Sequence, residues 1–118
     1  MRRIFSVLVE NRSGVLSKVA GLFARRSFNI DSLAVGETDD AAVSLMTILS
    51  SGTEQTLEQI EKQLNKKLDI IKVKTFDEDR AISRELMLIK VKYNKGNRRE
   101  IMEICEEKLE RYYKRFEN

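Results

Sequence analysis

The sequence predicts an α+β domain in which one antiparallel four-stranded sheet carries two helices on a single face, followed by part of a second domain. Three observations lead there. Short apolar runs with strand-like alternation recur four times in the first 76 residues. Two segments with helical spacing separate them in the order strand, helix, strand, strand, helix, strand. At 118 residues, 42% hydrophobic and 35% charged, the chain has the composition of a globular domain with a core of its own.

Ile4 to Val9 (Ile-Phe-Ser-Val-Leu-Val) is apolar at both alternating positions, as in a central strand covered by helices on one side and by a partner on the other. Asn11-Arg12-Ser13-Gly14 breaks the run as a turn. Val15, Leu16, Val19, Leu22 and Phe23 then repeat at helical spacing, with Ser13 expected as the N-cap. Asn29 to Val35 is expected as the second strand and Ala42 to Leu49 as the third, joined through the polar hairpin Gly36-Glu37-Thr38-Asp39-Asp40. Ser51-Gly52-Thr53-Glu54 has capping-box form and opens a helix with the apolar stripe Leu57, Ile60, Leu64 and Leu68. Asp69 to Phe76 is expected as the fourth strand, with Ile71 and Val73 on one face. This order is the split βαβ, ferredoxin-like arrangement.

The charged stretch 77–83 is expected as a linker between a first domain, 1–76, and a shorter second one, 84–118. In the second, Leu86 to Tyr93 is expected as a strand and 98–116 as a helix, with Asn97 capping it and Glu100 reaching back. Its stripe is Met102, Cys105, Leu109, Tyr112 and Phe116. One strand and one helix do not form an independently stable unit, so contact with a partner or self-association is expected for this half.

Residues that are missing narrow the function. There is no His, no Trp and no Pro, and one Cys. Ser-His-Asp and Cys-His catalysis, imidazole acid/base chemistry and ordinary zinc sites are therefore excluded. No carboxylate, Lys or Tyr stands in a recognisable catalytic spacing, so a non-catalytic protein is expected. One cysteine excludes an internal disulfide framework, and with no apolar run of spanning length a cytoplasmic location is expected. Net charge is +3 and evenly spread: residues 1–76 carry eleven Lys and Arg against nine Asp and Glu, and the remainder eleven against ten. That distribution lacks the concentrated basic face of a nucleic-acid binder. Phe5 is the one aromatic residue on the expected central strands, too few for base stacking.

The candidate functional element is the loop Asn11-Arg12-Ser13-Gly14-Val15-Leu16, where a strand delivers the chain to a helix N-terminus. Unpaired N–H groups and the helix dipole there suit a small anion such as a carboxylate. Gly14 permits close backbone approach, and Asn11 offers both a carbonyl acceptor for an ammonium and an amide donor for a carboxylate. These groups would suit a free amino acid, but an ordinary strand-to-helix turn with a glycine and a cap is the commoner reason for them, and spacing does not separate the two.

Asn11 to Leu16 resembles the Asp/Asn-x-x-Gly-x-Leu signature of the ACT domain, an amino-acid-sensing module. The likeness extends through Met1-Arg2-Arg3-Ile4, Asn29-Ile30-Asp31-Ser32-Leu33, Leu57 to Leu64 and Arg84 to Val91. Together, from Met1 to about Ile104, these resemble the small regulatory subunits of acetolactate (acetohydroxyacid) synthase. The resemblance implies a subunit that does no chemistry, binds the catalytic large subunit and confers feedback inhibition by valine or another branched-chain amino acid. Thiamine diphosphate, Mg and FAD are implied on the catalytic subunit, with no cofactor in this chain. It also implies a homodimer of side-by-side ACT domains with effector at the junction. Asn11, Ser13, Gly14, Val15 and Leu16 of one protomer would meet Asn29 and Ile30 of the other, with Ser17, Val35 and Gly36 as the pocket wall. The family pattern continues into a complete second α/β domain, whereas this chain stops one helix after the strand expected at 86–93. From Glu106 onward it ceases to resemble the family, so a short or truncated form is expected. The alternative is a stand-alone ACT sensor without a synthase partner.

Overall fold

A computed structural model describes residues 1–117, with side chains to Lys108. It contains two compact units, Met1–Arg84 and another beginning at Glu85. The first is built from β1 (Arg2–Glu10), α1 (Val15–Arg25), β2 (Ser32–Glu37), β3 (Val43–Ser51), α2 (Glu54–Asn65) and β4 (Ile70–Asp77), closed by a 3-10 turn at Glu78–Arg80. Both helices pack on one face of a four-stranded sheet in the order β2-β3-β1-β4. All three pairings are antiparallel. This is the expected ferredoxin-like βαββαβ arrangement.

Alternation along β1 selects the core. Phe5, Val7 and Val9 are buried and oppose Ile48, Met46 and Ser44 of β3. Against them lie Val15, Val19, Leu22 and Phe23 of α1, and Leu57, Ile60 and Leu64 of α2. Burying each such side chain contributes about 1.5–3 kcal/mol. The opposite face of the sheet carries no helix in this unit: Ile4, Leu8 and Leu49 are half-buried, and Leu45 and Phe76 are exposed.

The end of α1 sets the route to β2. Ser27 adopts left-handed φ (57°), Ser27 N donates to Ala24 O at 3.2 Å, and Phe28 N donates to Phe23 O at 2.9 Å. That pair of bonds is a Schellman closure, and Phe28 completes it by meeting Phe23 edge-on at 6.2 Å between ring centroids. The closure holds residues 26–31 as a loop, so the second strand starts at Ser32 rather than at Asn29. Ser27→Gly relieves the strain of a side chain at positive φ. It is expected to raise stability by about 1 kcal/mol in urea titration; no change would show that this φ carries no strain.

Several local expectations are corrected. Gly14, at φ 86°, is the boundary residue of α1, and no side chain caps the helix, so Ser13 is not the N-cap. For α2 the cap is Thr53, whose Oγ1 accepts from Thr56 N at 3.1 Å; Ser51 belongs to β3. Leu68 lies beyond the end of α2 and is 99% exposed, leaving the stripe at Leu57, Ile60 and Leu64. In β4 the register slips opposite Leu8 and Val9, leaving Ile71 as the extra residue of a bulge. That one residue reverses the alternation: Ile70 and Val73 pack on the core, and Ile71 is exposed.

In the second unit, α3 spans Arg98–Glu117. Leu86 to Tyr93, expected as a strand, is not one. A strand exists by exchanging ladder bonds with a neighbour, and among the described residues all ladder pairs lie within β1–β4. Asn97 accepts the first α3 bond, from Ile101 N, through its backbone carbonyl. Its side chain turns backward instead of capping: Oδ1 accepts from Asn94 N and Nδ2 donates to Lys92 O, both at 2.8 Å. Met102 and Cys105 are exposed, and the side chains of Leu109, Tyr112 and Phe116 lie outside the described residues.

Candidate functional site

The loop after β1 is held where it leaves the strand by two backbone bonds. Glu10 N donates to Asp69 O at 2.9 Å, and Asn11 N donates to Ala42 O at 2.8 Å. These ties fix Asn11 beside the hairpin joining β2 to β3. Its side chain reinforces them: Nδ2 donates to Ala41 O at 2.8 Å and to Glu37 Oε1 at 3.2 Å. A depression of about 340 Å³, lined by Glu10, Asn11, Arg12, Ala42, Val43 and Ile71, opens at this corner.

Gly14 then turns the chain into α1 with nothing within 4 Å of where a Cβ would stand. Val15 N makes a long contact with Arg12 O at 3.4 Å. Leu16 and Ser17, in an uncapped first turn, have no intrahelical acceptor ahead of them. Their N–H groups and the dipole give this corner its anion-accepting character. The expected site residues divide by exposure. Asn11, Ser13, Gly14, Leu16 and Ser17 are exposed, whereas the Val15 side chain is a core group, 4% exposed, so only its backbone faces the turn.

Asn29 and Ile30 lie at the opposite end of β2. Ile30 packs on the core, Asn29 O accepts from Ser50 Oγ at 2.5 Å, and Asn29 Nδ2 donates to Asp31 Oδ1 at 2.5 Å. The six residues of β2, about 20 Å at ordinary strand rise, separate them from the Asn11 corner. One chain therefore brings Asn11 together with the Val35–Gly36 end of β2 and keeps Asn29 and Ile30 away from both.

Two carboxylates not singled out as site residues organise these two ends: Glu37 at Asn11 and Asp31 at Asn29. Glu37 stood inside a polar hairpin, where a charge has no partner legible from sequence. Asp31 is the more heavily engaged. Ser51 Oγ donates to Oδ2 in a short hydrogen bond, and Arg2 Nε stands 3.7 Å from the same oxygen. The Ser51 hydroxyl, opposed by desolvation but helped by the Asn29 amide and the Arg2 charge, holds Asp31 below the usual carboxylate range.

A carboxylate with a depressed folded pKa stabilises the fold fully above its unfolded value, near about 3.9, and loses that contribution as pH falls through the folded value. Asp31→Asn is therefore expected to melt below the wild type at neutral pH and to converge with it as pH falls below the ordinary carboxylate range. Thermal melts across that range check this; parallel curves would remove Asp31 from the acid response.

Among the described residues no helix is long and apolar enough to cross a membrane.

Comparison with known proteins gives a consistent result. The pattern of the AHAS small subunit-like ACT domain matches residues 5–72. The acetolactate synthase small subunit of Haemophilus influenzae is 52% identical over 106 residues, covering 90% of this chain and 65% of that protein. The acetolactate synthase isozyme 3 small subunit of Escherichia coli K12 is 50% identical over 101 residues, covering 86% and 62%. The chain thus spans less than two-thirds of the length of these relatives. Among solved structures, the acetolactate synthase small subunit of Thermotoga maritima superposes with a TM-score of 0.62 at 45% identity, covering 66% of this chain and 48% of that one.

Proposed function

This chain belongs to the acetolactate synthase small-subunit family with its ACT domain, and from that premise we propose that it is a non-catalytic regulatory subunit sensing a branched-chain amino acid. On this reading two copies pair through their β2 edges, and valine or a related amino acid binds where the edges meet. The bound dimer then modulates an acetolactate synthase catalytic subunit. Thiamine diphosphate, Mg and FAD belong to that catalytic partner.

The observation that carries the reading is the contrast between the two edges of the sheet. β4 is defended by exposed Lys72 and Lys74 and by the bulge at Ile71. β2 has none of these devices. All six of its residues are exposed, Leu33 and Val35 among them, and its one charge is Glu37 at the end. An undefended edge favours pairing with another strand, and two copies related by a two-fold axis pair antiparallel. That operation sets the Asn11–Leu16 corner of one protomer beside Asn29 and Ile30 of the other. The 20 Å separation within one chain becomes proximity between two.

A ligand touching both protomers favours the dimer arrangement that fits it, and through that arrangement one state of the catalytic partner. Light scattering is expected to show a dimer that Val35→Lys, by placing a charge on the edge, converts to the 13.7 kDa monomer with loss of valine binding. A wild type that is monomeric with valine present sinks the shared site. Mixing the chain with the catalytic subunit of its host, with and without valine, tests regulation. A chain that binds valine but never associates with that subunit would be a stand-alone sensor.

A further inference from the structure

On sequence alone Asn11 can meet an amino acid in either of two ways, through its oxygen or through its amide hydrogens. The structure removes one of them. Nδ2 lies 3.2 Å from Glu37 Oε1 and 2.8 Å from Ala41 O. A carboxylate and a carbonyl only accept, so the amide orientation is fixed and both of its hydrogens are spent. Oδ1 is the polar atom of this side chain left for a ligand. Asn29 gives one Nδ2 hydrogen to Asp31 Oδ1 at 2.5 Å, which orients its amide nitrogen toward that carboxylate. Asp31 is in turn held by Ser51 Oγ and by the Arg2 guanidinium. Each end of β2 thus carries an asparagine whose amide nitrogen is held by a carboxylate.

We propose that Glu37 and Asp31 are specificity-determining positioning residues: they hold the two asparagines with carbonyl oxygens toward the effector, so the site takes a 2-amino acid and rejects the matching 2-oxo acid. The inference rests on the effector reading above. An α-ammonium donates to both oxygens and meets two negative charges behind them. A 2-oxo acid has the same alkyl group and carboxylate but presents a carbonyl oxygen at that carbon. Two acceptors would then face a third with no hydrogen between them, which is the mismatch polar sites reject most strongly. The carboxylate common to both ligands goes to the backbone of the Gly14 turn and does not distinguish them.

Calorimetry on the full chain with valine and with 3-methyl-2-oxobutanoate tests this. The wild type is expected to prefer valine by at least about a hundredfold. Glu37→Leu removes the acceptor that holds Asn11 Nδ2 and is expected to weaken valine roughly tenfold without weakening the oxo acid, whereas Glu37→Gln keeps an acceptor and is expected to restore most of the preference. Asp31→Asn is expected to shift the ratio in the same direction as Glu37→Leu. The ratio is the readout, because partial unfolding lowers both ligands equally. A wild type that binds the two ligands alike, or a Glu37→Leu variant with an unchanged ratio, overturns the inference and leaves the effector site standing. A wild type that binds neither ligand overturns the effector reading and this inference with it.

Discussion

Gly14→Asp is expected to abolish valine binding while leaving a folded protein. Gly14 sits at φ 86°, where any side chain is strained by about 1–2 kcal/mol, and aspartate is among the residues that tolerate this region best. Space is not the obstacle, since nothing lies within 4 Å of the added Cβ. The new carboxylate instead stands at the first turn of α1, where the proposed effector places its own, and like charges at that separation repel. A loss of at least about fiftyfold is expected, which is about 2.3 kcal/mol at 25 °C. Gly14→Ala is the control: it carries the strain without the charge and keeps measurable binding. Calorimetry at millimolar valine with unchanged affinity in Gly14→Asp would sink the proposed pocket.

Phe23→Ala is expected to lower the unfolding free energy by about 3–5 kcal/mol, a large share of the 5–15 kcal/mol of a typical domain. Phe23 is 1% exposed, fills the core between α1 and the sheet, and receives Phe28 edge-on. Truncation leaves a cavity and also removes the apolar contact that closes the Schellman turn. In urea titration the midpoint should fall with little change in slope, and Phe23→Leu should restore most of the loss. A cost below about 1 kcal/mol would mean that the site collapses around the missing ring. Because Phe28 leads directly into Asn29 and Ile30, the variant is also expected to weaken effector binding beyond its loss of folded protein.

Element order was legible because each segment of the first unit writes its own period. β1 is a short apolar run closed by a turn, and the apolar residues of α1 and α2 recur at three and four. Misassignments fall where geometry is set by something other than period. The bulge at Ile71 leaves no trace in the order of residues, yet it exchanges Ile70 for Ile71 on the core face. Ser13 has the chemistry of a cap and was displaced by the left-handed turn at Gly14. Leu86 to Tyr93 has every local property of a strand and, among the described residues, no ladder partner that would make it one.

The same division runs through the site. The Asn11–Leu16 motif is local: a strand end, a glycine and a helix start are consecutive in the chain, so composition and order place them. That Asn29 and Ile30 stand a strand's length away, and meet Asn11 only across a two-fold axis, is the proposal that pairing geometry supports. The sequence alone determined the fold class and the family, since these depend on periods and motifs. Tertiary structure decided which edge of the sheet is undefended and which atom of Asn11 is left to a ligand. Both depend on residues 26 or more apart in the chain, Asn11 with Glu37 and Ala41, and β1 with β4, and distances of that kind are fixed only when the sheet closes.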